Sequence, residues 1–164
     1  MPFEENSVGY TCNMNLNSEN LTDGIGDTER YVEIPWALSE YSDEHTVLDI
    51  GYANAEERYI TSLLSLKIPY LHGLDLSEKK IEGIISHTGD IRRTDFEDNF
   101  FDLVFCISTI EHVGRDNSKY LHECNEEGEN GDLEALKEIY RITKKQGKCI
   151  ITVPFGKFVN YGWF

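Results

Sequence analysis

Positive charge is scarce in this chain. Its 164 residues carry 15 Lys and Arg against 30 Asp and Glu, a net charge of −15. Such a surface repels phosphate backbones and anionic lipid, which argues against nucleic acid and membrane as partners. The acid excess serves solubility, and a cleft that shares it would favour a cationic ligand. Cysteine is sparse as well. Cys12, Cys106, Cys124 and Cys149 form no Cys-x-x-Cys pair and suggest no disulfide framework. Cys106 and Cys149 stand in apolar runs and read as small core residues. No run is long enough to span a bilayer. The acidic start, Met1-Pro2-Phe3-Glu4-Glu5, lacks the apolar stretch of a signal peptide. Together these features predict a cytoplasmic protein.

A glycine-rich phosphate loop is also missing. Dinucleotide sites need Gly-x-Gly-x-x-Gly so that backbone can approach a pyrophosphate. Here Gly51 is followed by Ala53 and Ala55. A Tyr-x-x-x-Lys pair is absent at Tyr120, where the fourth residue on is Cys124. A nicotinamide-dependent reductase is therefore disfavoured. His122 and Cys124 alone make no metal site of known ligand spacing, so no metal is expected.

What is present is organised around residues 46–55. Val47, Leu48 and Ile50 form an apolar run broken only by Asp49, which suits a strand covered on both faces. Gly51 makes a turn, and Asn54 is placed to cap a helix carrying Ile60, Leu63 and Leu64 inward. A carboxylate near the end of such a strand is costly to bury unless something binds it. The carboxyl edge of an open α/β sheet is where nucleotide-like ligands sit.

The remaining pattern repeats this unit. Residues 1–27 are a polar leader, and residues 28–164 read as one domain. Pro35 opens a short helix to Tyr41, and Trp36 reads either as core packing or as a wall over a ligand. Residues 70–76 are a second strand. Ser77 caps a helix with Ile81, Ile84 and Ile85 inward, and a third strand lies within residues 86–91. The apolar run from Phe100 to Ser108 is the fourth and central strand. Residues 115–131 are an acidic surface loop. Asp132 caps a helix with Leu133, Leu136, Ile139, Tyr140 and Thr143 on adjoining faces, ended by Gly147. Residues 148–153 are a fifth strand. Regular β-α alternation predicts a Rossmann-like, doubly wound α/β fold, mostly parallel, with strand order 3-2-1-4-5.

Four stretches in this order resemble the class I S-adenosylmethionine-dependent methyltransferases of the type 11 kind, across residues 28–157. They are Val47-Leu48-Asp49-Ile50-Gly51; Gly73-Leu74-Asp75-Leu76; Gly89-Asp90-Ile91 leading to Phe101-Asp102-Leu103-Val104; and Leu136-Lys137-Glu138-Ile139 through Gly147 to Val153-Pro154-Phe155-Gly156. The stretch from Glu33 to Leu38 and the ending Thr152-Val153-Pro154-Phe155-Gly156-Lys157 resemble methyltransferases that modify surface polysaccharides and sugars. The resemblance implies S-adenosylmethionine as cofactor and a small-molecule acceptor such as a sugar hydroxyl. It implies that Asp49, Gly51, Tyr52 and Ala53 hold the methionine part, and that Asp75, beside Leu76, takes the ribose hydroxyls. Asp90 and Ile91 would bracket the adenine, and Ser108 and Ile110 would line the pocket. His112 is the candidate base, since imidazole titrates near neutrality, with Glu111 orienting it or accepting the proton itself.

Two departures stand out. Tyr52 occupies a loop that usually carries more glycine, and must point outward or over the ligand unless the pocket is altered. The family's sheet has seven strands, whereas this chain ends soon after the fifth, either because the sequence is a fragment or because the family core has been cut down. An edge of the sheet is then open to the leader or to a second copy of the chain, a homodimer. These departures also admit an inert binding module that keeps the fold without activity.

Overall fold

The computed structural model describes residues 30–115, 128 and 130–154. The leader, Cys12, most of the acidic insertion with His122 and Cys124, and the segment from Phe155 onward lie outside the described residues. The elements are α1 (Arg30–Ser39), β1 (Thr46–Ile50), a 3-10 turn (Tyr52–Asn54), α2 (Glu57–Ser65), β2 (Tyr70–Asp75), β3 (Ile85–Thr88), β4 (Phe101–Ile107), a second 3-10 turn (Ile110–His112), α3 (Gly131–Ile142) and β5 (Thr143–Thr152).

The five strands make one parallel sheet in the order β3-β2-β1-β4-β5, the order the sequence predicts. β1 lies at its centre. Asp49 is level with Gly73 of β2 and with Phe105 of β4. Alternation along β1 sends Val47 to one face and Leu48 to the other, and both are fully buried. On one face, Ile34, Ala37 and Leu38 of α1 and Tyr59, Ile60 and Leu63 of α2 pack with Val47, Leu103 and Phe105. On the other, Ala135, Ile139 and Ile142 of α3 pack with Leu48, Ile50, Val104 and Cys106. Each large side chain buried this way contributes about 2 kcal/mol.

Several local expectations are corrected. α1 begins at Arg30, with Pro35 inside it rather than at its start. Ile34, Ala37 and Leu38 recur at helical spacing on its inner face, while Pro35 faces solvent. Trp36 is half-buried against the core and lines no part of the cleft described below. Asn54 does not cap α2. It ends the 3-10 turn, and Glu56 occupies the cap position.

No helix forms at residues 77–84. That stretch is held by anchors instead: the Ser77 amide donates to Asp75 Oδ1 at 2.8 Å, Tyr52 Oη donates to the Lys79 carbonyl, and Gly83 takes φ +89°. α3 begins at Gly131 with Asn130 at its cap, and turns its Ala135–Ile139–Ile142 stripe inward. Leu133, Leu136 and Tyr140 are exposed. α3 stops at Ile142, and Gly147 lies within β5, where an added Cβ would meet the Asp102 carbonyl at 2.8 Å.

Candidate functional site

A cleft of ≈ 360 Å³ opens across the carboxyl ends of the strands. Its floor starts at the turn after β1. Gly51 takes φ +86°, and a Cβ there would lie 2.5 Å from Thr109 Oγ1, so only glycine fits both the backbone and the space. Its amide donates to the Leu74 carbonyl at 2.9 Å, which fastens the turn to β2.

Asp49, Gly51, Asp75, Leu76, Asp90, Ile91, Ser108 and His112 all line this cleft, although they come from four separate strand ends. Tyr52, Ala53, Ile110 and Glu111 do not. Tyr52 points neither outward nor over the cleft. It is fully buried below β2, where an added Cβ on Gly73 would sit 2.7 Å from its ring. The glycine at position 73 makes room for the tyrosine at position 52. Ala53 is held by backbone: its amide donates to Asp75 Oδ2 at 3.0 Å, and its carbonyl accepts from Lys79 Nζ.

Asp49 is the most perturbed acid here. It is 1% exposed, and its Oδ1 accepts from Tyr59 Oη at 2.8 Å. Its Oδ2 is buried with no hydrogen-bond partner among the described residues. Burial, together with the nearby Asp75 carboxylate and against the Tyr59 hydrogen bond, pushes its pKa up to about 7. Asp75 accepts from the Ala53 and Ser77 amides, one to each oxygen. Each oxygen keeps a further acceptor position. Asp90 is gripped by Arg92, whose Nε and Nη2 approach Asp90 Oδ2 at 2.9 and 2.6 Å. An adenine amino group at Asp90 would share that carboxylate with the guanidinium.

The β4 end carries a second polar group. Ser108 adopts φ 45°, an uncommon conformation for a non-glycine residue. Its Oγ donates to Glu33 Oε1 at 2.6 Å, and its amide donates to Thr152 Oγ1 at 2.9 Å. Thr152 Oγ1 in turn donates to Glu33 Oε1. One carboxylate on α1 thus ties together the ends of β4 and β5. His112 stands beside this group at the cleft wall, with Nε2 3.9 Å from Glu111 Oε1. That separation exceeds a hydrogen bond. Glu111 Oε2 is buried without a hydrogen-bond partner, and burial holds the acid above its ordinary range despite His112.

Residue patterns missed Arg30, Glu33, Tyr59 and Thr109. Tyr59 could have been found, since it falls on the buried stripe of α2 with Ile60 and Leu63. Arg30 and Glu33 touch the site only through folding of α1 over the strand ends, which has no local signal.

Among the described residues, no group of three or more His, Cys, Asp or Glu is placed to hold a metal, and no helix is long and apolar enough to cross a membrane. The organic ligand tested against the geometry is an adenosyl sulfonium. The orphaned Asp49 Oδ2 and the tight Gly51 turn suit its cationic portion, and the Asp75 carboxylate on the neighbouring strand suits a diol. The residues present fit such a group.

Comparison with known proteins leads the same way. Residues 48–126 match the family model described as a methyltransferase domain. An uncharacterized protein of Methanocaldococcus jannaschii, MJ0638, is 32% identical over 130 residues, covering 75% of this chain and 48% of the relative. The chain thus spans about half the length of the curated relative it matches. The crystal structure of the PH0226 protein from Pyrococcus horikoshii superposes with a TM-score of 0.53 at 25% identity, over 75% of this chain and 56% of that one. A SAM-dependent methyltransferase from Thermotoga maritima superposes with a TM-score of 0.50 at 22% identity, over 73% of this chain and 48% of that one. The methyltransferase-domain match implies S-adenosylmethionine as the cofactor. With its five parallel strands in the order β3-β2-β1-β4-β5, the described chain has an α/β Rossmann-like methyltransferase fold.

Proposed function

We propose that this domain transfers a methyl group from S-adenosylmethionine to a small-molecule acceptor, with a sugar hydroxyl the favoured acceptor class. The observation that carries the reading is the pairing of Asp49 and Asp75. They sit at the ends of adjacent strands in one cleft, close enough for the Asp75 charge to help raise the Asp49 carboxyl. In this reading Asp75 accepts from the two ribose hydroxyls, Asp90 and Ile91 border the adenine, and Asp49 and Gly51 face the methionine portion. Leu76 and Ser108 complete the walls.

S-adenosylmethionine supplies, when bound, a methyl group already activated on a sulfonium. The protein's share is then to place the acceptor in line and exclude water. His112, at the β4 end of the cleft, takes the proton of an acceptor hydroxyl. Glu111 supports the resulting imidazolium from behind, across the 3.9 Å gap.

Calorimetric titration with S-adenosylmethionine and its demethylated product tests the cofactor assignment: both bind, and absence of binding by either removes the reading. Methyl transfer to a panel of sugars and other hydroxyl compounds then tests the acceptor class. His112→Ala lowers turnover about a hundredfold and leaves cofactor affinity within twofold. Unchanged turnover removes the base assignment. An inert binding module is the second reading, favoured by the Glu111–His112 separation being too long for a hydrogen bond. It predicts cofactor binding with no turnover on any acceptor.

A further inference from the structure

At the end of β4 stands a hydroxyl whose hydrogen has a fixed direction. Ser108 Oγ donates to Glu33 Oε1 at 2.6 Å, and Thr152 Oγ1 donates to the same oxygen. A carboxylate oxygen accepts only, so neither hydroxyl can turn its hydrogen elsewhere without losing a charge-assisted bond. No donor reaches Ser108 Oγ among the described residues. Ser108 lines the cleft, whereas Glu33 and Thr152 stand behind it. Toward the cleft the Ser108 hydroxyl therefore has lone pairs to offer and no hydrogen. We propose that Ser108, oriented by Glu33, selects the methyl acceptor: it accepts a hydrogen bond from the hydroxyl next to the one that is methylated, so the acceptor is a vicinal diol.

The direction of this hydroxyl is held from two sides. The Thr152 carbonyl and Oγ1 both accept from the Ser108 amide, at 3.1 and 2.9 Å. Those bonds pin Ser108 at φ 45°, a backbone conformation that persists only where its surroundings over-determine it. Glu33 arrives on α1, whose Ile34, Ala37 and Leu38 are buried against the sheet, so packing fixes where the carboxylate sits. The Glu33 side chain is 9% exposed, and little solvent competes with the two hydroxyls for Oε1.

His112 lines the same cleft and receives the reacting hydroxyl in the reading above. The 3-10 turn between them folds the chain back on itself, with the His112 amide donating to the Thr109 carbonyl at 3.0 Å. Ser108 and His112 thus present two acceptors from one short turn, a match for two donors on neighbouring carbons. An ether or ketone oxygen at Ser108 would set lone pair against lone pair, and a buried acceptor left without a donor is costly. Sites built to bond a hydroxyl reject analogues that lack it for the same reason.

The inference rests on the methyltransferase reading, and the test separates the two. Ethylene glycol and 1,2-dimethoxyethane share the O–C–C–O spacing, but the second has no hydroxyl hydrogen. Each is titrated into the chain saturated with S-adenosylhomocysteine, and the Thr109 amide is followed by NMR. In wild type the glycol half-saturates the shift at about tenfold lower concentration than the ether. In Ser108→Ala that preference falls to about twofold or less, which sets aside any difference due to the ether's methyl groups. Glu33→Gln can donate as well as accept, so Ser108 is free to turn, and the preference shrinks likewise while S-adenosylhomocysteine affinity is unchanged. A merely structural Glu33 would lower the melting temperature of Glu33→Gln and leave the preference intact, which overturns its positioning role. Equal response of wild type to both probes, response to neither, or a preference that survives Ser108→Ala overturns the diol assignment. Wild type that binds no S-adenosylhomocysteine overturns the cofactor reading and this inference with it. If Glu33→Gln does not fold, neutron diffraction of wild type reads the Ser108 deuteron directly. It lies on the Glu33 side, and a deuteron turned to the cleft overturns the assignment.

Discussion

On the cleft floor, Asp49 is 1% exposed and has a single hydrogen-bond donor among the described residues, Tyr59. On α3, the Glu138 carboxylate is less deeply buried, its side chain 12% exposed, and it is saturated. Its Oε1 accepts from the Thr94 amide at 2.8 Å, Thr94 Oγ1 at 2.7 Å and Arg141 Nη2 at 2.6 Å, and its Oε2 accepts from Arg141 Nε at 2.9 Å. Arg141 also reaches Asp98 and the Phe96 carbonyl, so one guanidinium fixes the loop between β3 and β4. The two acids move in opposite directions. Burial takes Asp49 up to about 7, while the Arg141 hydrogen bonds take Glu138 down to about 2. A carboxylate provided with every partner belongs to the framework. One buried with an oxygen left over is arranged for something that arrives later.

The contrast has a pH signature with opposite signs. Between its ordinary value of 3.8 and about 7, folded Asp49 holds a proton that the unfolded chain has released. Its contribution therefore lowers stability as pH rises through that window. Glu138 stabilises the fold fully above its ordinary 4.5, and that contribution is lost as pH falls through about 2.

The largest expected break comes from Arg141→Ala. It strips Glu138 of its ion pair and frees the Thr94–Asp98 loop, at a cost of about 3 kcal/mol in urea unfolding at pH 7. Cofactor affinity of the folded fraction stays within twofold. An undiminished urea midpoint would mean that the saturated network is not a support. Asp75→Ala, next in size, weakens cofactor binding by about 2 kcal/mol in calorimetry. Full affinity in that variant would sink the ribose assignment.

Tyr59→Phe gives the smallest change in stability, about 1 kcal/mol. Its diagnostic effect is on the pH profile. Loss of the donor drives Asp49 higher still, so the decline in melting temperature with pH extends beyond 7. Asp49→Asn abolishes that decline. If both variants keep the wild-type pH profile, the titrating group lies elsewhere.

The two central strands were legible because each is an apolar run broken by a single acid, Asp49 in Val47–Ile50 and Asp102 in Phe101–Ile107. The acids at strand ends were legible for the same reason: a carboxylate in such a run is conspicuous. The expected helix at residues 77–85 fails because side chains from the end of β2 and from the turn after β1 compete for that backbone. Asp75 captures the Ser77 amide, Tyr52 captures the Lys79 carbonyl, and β3 already begins at Ile85. Gly147 looked like a helix stop. It serves close packing in β5 instead, near an irregularity in the β4–β5 register. Tyr52 was assigned to the cleft because its backbone neighbours line it. The space left by the missing Gly73 side chain takes its ring instead. Arg30 and Glu33 carry no local mark of function, because only the path of α1 over β4 and β5 brings them to the site.

The uniformly parallel sheet also bears on how the chain acquires its structure. Among the described strands no pair can be closed by a hairpin turn, so each pairing waits for a crossover to form first. β1 is covered by β2 on one side, but on the other its register with β4 joins Val47 to Leu103, across a long stretch of sequence. Such distant pairings incur loop-closure entropy before contacts repay it, and they slow folding. During synthesis the middle strand emerges early and stays half-covered until β4 follows. In that interval its unpaired side is where misassociation begins.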